Sequence, residues 1–175
     1  KALASKIPVI GFDSGVPNAP AGSFYANAST NNTVAGALAA SSMYPAIKAK
    51  TATGAVGKAV RIAVLSQDAV GESVSNRTKG FVEKMVELLK ADGITEVAVV
   101  GHDKFKNTFA ESAAKVVIDV GVAATTSATD ISTAGKALLN KSNVIAIYGS
   151  NEAAANGILD SSNEGADLKT KGLIA

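Results

Sequence analysis

Cysteine is missing from all 175 residues, which removes thiol nucleophiles, thiolate metal sites and disulfides together. The single histidine, His102, has no second His or Cys with which to build a metal site or a catalytic dyad. Tryptophan is also missing and aromatics make up 5%, so packing must rest on Val, Ile, Leu and Ala. Lys and Arg total 17 against 15 Asp and Glu, and a net charge of +2 gives no argument for nucleic acid or an anionic membrane surface. No segment reaches the ~18 uninterrupted apolar residues of a membrane helix. The motifs of turnover are missing as well. GESVS (71–75) lacks the closing Gly of a nucleophile elbow, GAVGKA (54–59) lacks the spacing and Ser/Thr of a phosphate-cradling loop, and no carboxylates are paired for acid–base work. These gaps read as a protein that is not an enzyme and needs no cofactor or metal.

What is present is a chain that is 47% apolar, enough for a sizeable core. IPVIGF (7–12), VRIAVLS (60–66), TEVAVVG (95–101) and NVIAIYG (143–149) are apolar nearly throughout, the pattern of strands covered on both faces. Weaker strands are predicted at 22–28 and 122–128, and GLIA (172–175) reads as the start of another. Helical spacing predicts helices over 31–50 (Val34, Leu38, Met43), 72–91 (Phe81, Met85, Leu88, Leu89), 107–119 (Phe109, Ala113, Val116, Val117), 130–141 and 152–161. This alternation predicts an α/β fold of doubly wound parallel sheets. The small, Gly-bearing stretch at 51–59 has two readings, a crossing between lobes or a surface loop within one sheet. The first divides the chain into 1–53, the end portion of an N-terminal lobe; 54–59, a hinge crossing; and 60–175, a C-terminal lobe. The opening KALASKIPVI reads as a helix end running into a strand, so the true beginning is expected to be missing.

In an open parallel sheet, ligands bind beyond the carboxyl ends of the strands, where the loops diverge. The strand tips here are Asp13-Ser14-Gly15, Ser66-Gln67-Asp68 and Ser150-Asn151-Glu152. Such carboxylates and amides can each meet two neighbouring hydroxyls, the recurring feature of a sugar. Arg77 lies in the early turns of the 72–91 helix, where its charge opposes the helix macrodipole and calls for a compensating ligand or acid; the other reading is a solvated side chain on a first turn. Asp13 before Ser-Gly equally suits an Asx turn, and Asn151 equally suits a helix N-cap.

IPVIGFD (7–13), VRIAVLSQDAVGES (60–73) with RTKGF (77–81), and VIAIYGSNEAAANGIL (144–159) together resemble the ribose- and galactose-type sugar-binding proteins of ABC importers, the type I solute-binding family. That family shares its core with LacI-type repressors. The resemblance implies two lobes closing by a hinge on a monosaccharide, with Asp13, Arg77 and Asn151 as ligand-binding residues and Ser14, Gln67 and Glu152 as secondary candidates. It also implies a membrane permease as partner, no nucleic acid, a monomer, and a place in the periplasm or on the outer face of the membrane, with a lipid anchor as one form. The alternative it leaves is the dimeric sensing core of a LacI-type repressor. Three departures stand out: Ser14 replaces the Arg that ribose binders often carry after the strand-tip acid, 102–121 reads as an extra helix, and TSATD (126–130) lacks the expected stacking aromatic. Phe105 is an alternative source of such a ring that the sequence leaves open. The chain corresponds to a central portion of the family's length and by itself is not expected to bind tightly.

Overall fold

The computed structural model describes residues 1–15 and 19–175; residues 16–18, inside the Gly/Pro-rich loop after the first strand, lie outside the described residues. The β-branched runs form two parallel sheets. β1 (Ile10–Asp13) pairs with β2 (Ala26–Ser29). β3 (Val60–Ser66), β4 (Val97–Gly101), β5 (Val116–Val122) and β6 (Val144–Gly149) form a four-stranded sheet in the order β4-β5-β3-β6. α1 (Asn32–Thr51) and α2 (Glu72–Ala91) pack on one face of it, and α3 (Ala128–Leu139) and α4 (Glu152–Ser161) on the other, joined by the short α5 (Ala166–Thr170). β3 shows why its run has no polar alternation: Ile62 and Val64 enter the core under α1 and α2, while Ala63 and Leu65 enter the core under α3 and α4. Ile174 makes a parallel bridge beside Ala146 of β6, where GLIA was predicted to begin a strand.

Several expectations are corrected. Residues 107–119 do not form a helix, and 102–121 contain no extra one: this stretch holds a single 3-10 turn at Glu111–Ala113 and most of β5. Val116 and Val117 are both fully buried because successive strand residues enter opposite cores, which in sequence imitates a helical cluster. The strand predicted at 122–128 begins where β5 ends. β1 is not covered on both faces, since Ile10, Phe12 and all of β2 are exposed. In α1 the buried stripe is Gly36, Ala40, Met43, Tyr44 and Ile47, whereas Val34 and Leu38 face solvent.

The lobe boundary at 54–59 is also corrected. Ala40, Met43, Tyr44 and Ile47 of α1 share one core with Ile62 and Val64 of β3 and with Phe81 and Met85 of α2, so residues 32–51 belong with the four-stranded sheet. Residues 55–58 are a tight turn in which Ala55 and Lys58 bridge each other and Gly57 takes a φ of 80°, a conformation that costs other residues more. The composition of a linker is here that of a turn.

α1 and α2 run side by side and are fastened along their length. A methyl group on Gly36 would collide with the Arg77 carbonyl, and one on Gly80 with the Thr33 carbonyl, so the two backbones meet at these glycines. At the far end the Tyr44 hydroxyl donates to Asp92 Oδ2 (2.7 Å) and Lys48 Nζ donates to Asp92 Oδ1 (2.8 Å). Burial, reinforced by the hydrogen bond to Asp92, pushes the Tyr44 phenol up to about 12. The hydrogen bond from Lys48 holds the Asp92 carboxyl below its usual range.

The opposite edge of the sheet carries a charge network. Asp119 of β5, 2% exposed, accepts from Arg61 Nη1 (2.5 Å) and Lys141 Nζ (2.5 Å), while Arg61 Nη2 meets Glu111 at 2.6 Å. Nearby, Lys115 lies 2.8 Å from Glu96, and its hydrogen bond lowers that carboxyl from 4.5 to about 2. A depressed carboxyl stabilises the fold above its unfolded value and loses that contribution as pH falls towards its folded one. Glu96→Gln is therefore expected to flatten the stability–pH curve between pH 4.5 and about 2, as read by urea titrations across that range.

Candidate functional site

The carboxyl edge of the four-stranded sheet gathers the tips of β3 and β6 and the N-termini of α1, α2 and α4. Each helix start presents unpaired N–H groups and the positive end of its macrodipole, so acceptors are favoured at this edge. A cavity of ≈ 360 Å³ opens there, lined by Asp13, Asn32, Ser73, Arg77, Asn151 and Glu152 among others. Three residues named from sequence, drawn from β1, α2 and the start of α4, thus line one space.

Asp13 ends β1 with a φ of 67°, a left-handed conformation that short polar residues tolerate best. Among the described residues its carboxylate takes no hydrogen bond, so no Asx turn is formed there. Arg77 is half-buried and held, not solvated: Nη1 donates to the Ser150 carbonyl (3.1 Å) and Nη2 to Asn32 Oδ1. No carboxylate pairs with it among the described residues, so its charge is compensated by amide and carbonyl oxygens. Asn151 is the N-cap that its sequence position suited. Its Oδ1 caps α4 by accepting from Ala154 N (3.0 Å), and its Nδ2 donates to Gln67 Oε1.

The secondary candidates separate. Glu152 is exposed and lines the cavity. Gln67 lies on the far side of Asn151 and lines a neighbouring opening. Ser14 is outside the cavity lining, with its N–H turned back to the Phe12 carbonyl (2.8 Å). Phe105 is 8% exposed and packed in the core, so it supplies no stacking ring.

Sequence reasoning missed two features. Asn32, 8% exposed, donates to the Thr30 carbonyl (3.1 Å) and accepts from Arg77. The signal was the Asn31-Asn32 pair: Asn31 caps α1 through Val34 N (3.2 Å), which leaves the second amide for another task. The other is a buried hydroxyl cluster beneath the cavity. Thr78 Oγ1 lies 3.1 Å from Ser66 Oγ, 2.7 Å from Ser150 Oγ and 2.9 Å from the Val74 carbonyl, tying the β3 and β6 tips to α2. Ser66 and Ser150 therefore face each other through Thr78 instead of facing the opening. None of these hydroxyls meets a base among the described residues, and no group of three His, Asp or Glu is placed to hold a metal there. The site can exchange hydrogen bonds through one guanidinium, two carboxylates and two amides, a set suited to a neutral polyol.

No family model and no curated protein matches the sequence. Solved structures do. A structure described as an ABC transporter, LacI family transcriptional regulator from Brachyspira murdochii is 33% identical, covering 90% of this chain and 44% of that one with a TM-score of 0.72. A carbohydrate transporter solute-binding protein from Agrobacterium radiobacter, in complex with D-arabinose, is 23% identical over 98% of this chain and 47% of its own, with a TM-score of 0.62. The periplasmic component of an ABC-type sugar transport system from Hahella chejuensis is 21% identical over 95% and 48%, also at 0.62. The chain spans about half the length of these structures. These neighbours are binding proteins and a regulator, not enzymes. Over that half, the chain has the type I solute-binding fold, shared by periplasmic sugar-binding proteins of ABC transporters and by the LacI-family regulator it resembles.

Proposed function

We propose that the protein is an extracytoplasmic receptor that captures a sugar for an ABC importer, with one sugar ring seated in the cavity lined by Asp13, Arg77 and Asn151. The observation that carries this reading is the composition of that cavity: hydrogen-bonding groups of both kinds, with acids and a cation that form no ion pair with each other among the described residues. Asp13 accepts from ring hydroxyls, and Arg77 and Asn151 donate to them. Asp13 comes from the β1–β2 pair and the other two from the four-stranded body, so a ligand touching all three favours the arrangement that holds the two sheets together. Ligand binding then shifts the population towards a closed form that a membrane permease can recognise.

Arg77→Ala in the full-length protein is expected to weaken sugar binding by ~1.5–3 kcal/mol, the range for a hydrogen bond to a charged group. Titration calorimetry checks this, and an unchanged affinity would remove Arg77 from the site. The second reading is the sensing core of a LacI-type repressor, favoured by the 33% identity to a structure so described. The residues that precede this stretch in the full-length protein separate the two: a secretory or lipoprotein signal supports the importer, and a helix-turn-helix supports the repressor.

A further inference from the structure

On the far side of Gln67 from the cavity, a second opening of ≈ 470 Å³ lies over the tips of β3, β4 and β5. The two spaces share a wall. Asn151 of the first donates to Gln67 Oε1, which leaves both N–H groups of the Gln67 amide available to the second. The chemistry of this second lining is two-sided. Val70, 82% exposed, joins Ala123 and Ala124 in an apolar strip, while Asp68, His102 and Thr126 supply polar groups.

Those polar groups have unused capacity. Asp68 Oδ1 accepts from Val70 N (2.8 Å) and Gly71 N (2.5 Å), and among the described residues Oδ2 takes no hydrogen bond. His102 Nδ1 accepts from Lys104 N (3.2 Å), so in the neutral ring Nε2 carries the proton and can donate. Lys104 is not among the lining residues, and its Nζ is engaged by the Ala69 carbonyl (2.6 Å) and Ser75 Oγ (2.9 Å). The lining therefore contains an acid and no Lys or Arg, which disfavours a phosphate or other anion. An apolar strip edged by donors and acceptors matches the C–H face and hydroxyl rim of a pyranose or furanose.

We propose that this opening is a second sugar subsite, and that the ligand is a neutral disaccharide or comparable glycoside, with its second ring against Val70 and Ala124 and its hydroxyls on Gln67, Asp68 and His102. This deepens the sugar-capture reading and rests on it. Small side chains after β5, at Ala123, Ala124 and Thr126, leave the room that a bulky ring would close.

The test is calorimetry on the full-length protein with glucose and galactose against maltose, cellobiose, lactose and melibiose, repeated on Ala124→Leu and His102→Ala after melting curves confirm folding. At least one disaccharide is expected to bind about tenfold or more tighter than either monosaccharide. Both variants are expected to lose about tenfold for that disaccharide while monosaccharide affinity stays within about twofold. Monosaccharides binding as tightly as every disaccharide, or variants that shift both classes alike, would overturn the second subsite and leave sugar capture standing. A wild-type protein that binds none of the six would overturn the subsite, and one that also fails to bind ribose, arabinose and xylose would overturn sugar capture itself.

Discussion

Asp119→Ala should lower the unfolding free energy by about 3–5 kcal/mol, the range for breaking a buried ion pair from one side. The reason is the company Asp119 keeps. Its carboxylate is 2% exposed and is shared between Arg61, 15% exposed, and Lys141, 44% exposed. Without it, Arg61 remains in the sheet layer with Glu111 as its remaining acid partner, and its Nε already lacks a partner among the described residues. Asp119→Asn keeps the shape but removes the charge, so most of the loss should persist. Lys141→Met should cost less, because Asp119 keeps Arg61 as its partner and Lys141 is 44% exposed. Urea denaturation of the three variants checks the ranking, and an Asp119→Asn protein as stable as the parent would mean the network contributes packing and no electrostatics.

Gly80→Ala should damage stability and recognition together. The new methyl group meets the Thr33 backbone, which cannot rotate away as a side chain could, so α1 must move off α2. Overpacking of this kind costs ~1–3 kcal/mol. The displacement also separates Asn32 from Arg77, and sugar affinity in the full-length protein should fall by about tenfold or more. Gly157→Ala is the matched control. It crowds Ile131 between α3 and α4, away from the cavity, and should lower stability while leaving affinity unchanged. Equal affinity losses in the two variants would show that the α1–α2 contact has no special part in placing Arg77.

What the sequence revealed follows from how many cores each segment enters. α2 enters one, so Phe81, Met85 and Leu89 fall at helical spacing and its predicted span of 72–91 matches the structure. β5 enters two, so Val116 and Val117 are both buried and read falsely as part of a helix over 107–119. The sheet edge was legible because loops diverge beyond the carboxyl ends of parallel strands, and Asp13, Arg77 and Asn151 do line one cavity there. Asn32 was not, because a helix start explained both asparagines equally well until Asn31 was seen to form the cap. The boundary at 54–59 failed for a related reason. A tight turn and a linker use the same small residues, and only the shared core of α1, α2 and β3 tells them apart.

The double fastening of α1 to α2 also limits how the molecule can move. With Asn32 tied to Arg77 and Tyr44 and Lys48 tied to Asp92, the helix is cargo of the larger body. Any swing of the β1–β2 pair must then pivot at Thr30–Asn31, the two residues between Ser29 and the helix. The Thr30 carbonyl is held by the same amide that holds Arg77. Under the proposed sugar-capture reading, a ligand that pulls on the guanidinium would pull on the pivot as well, with Asp13 as the jaw that the lever carries.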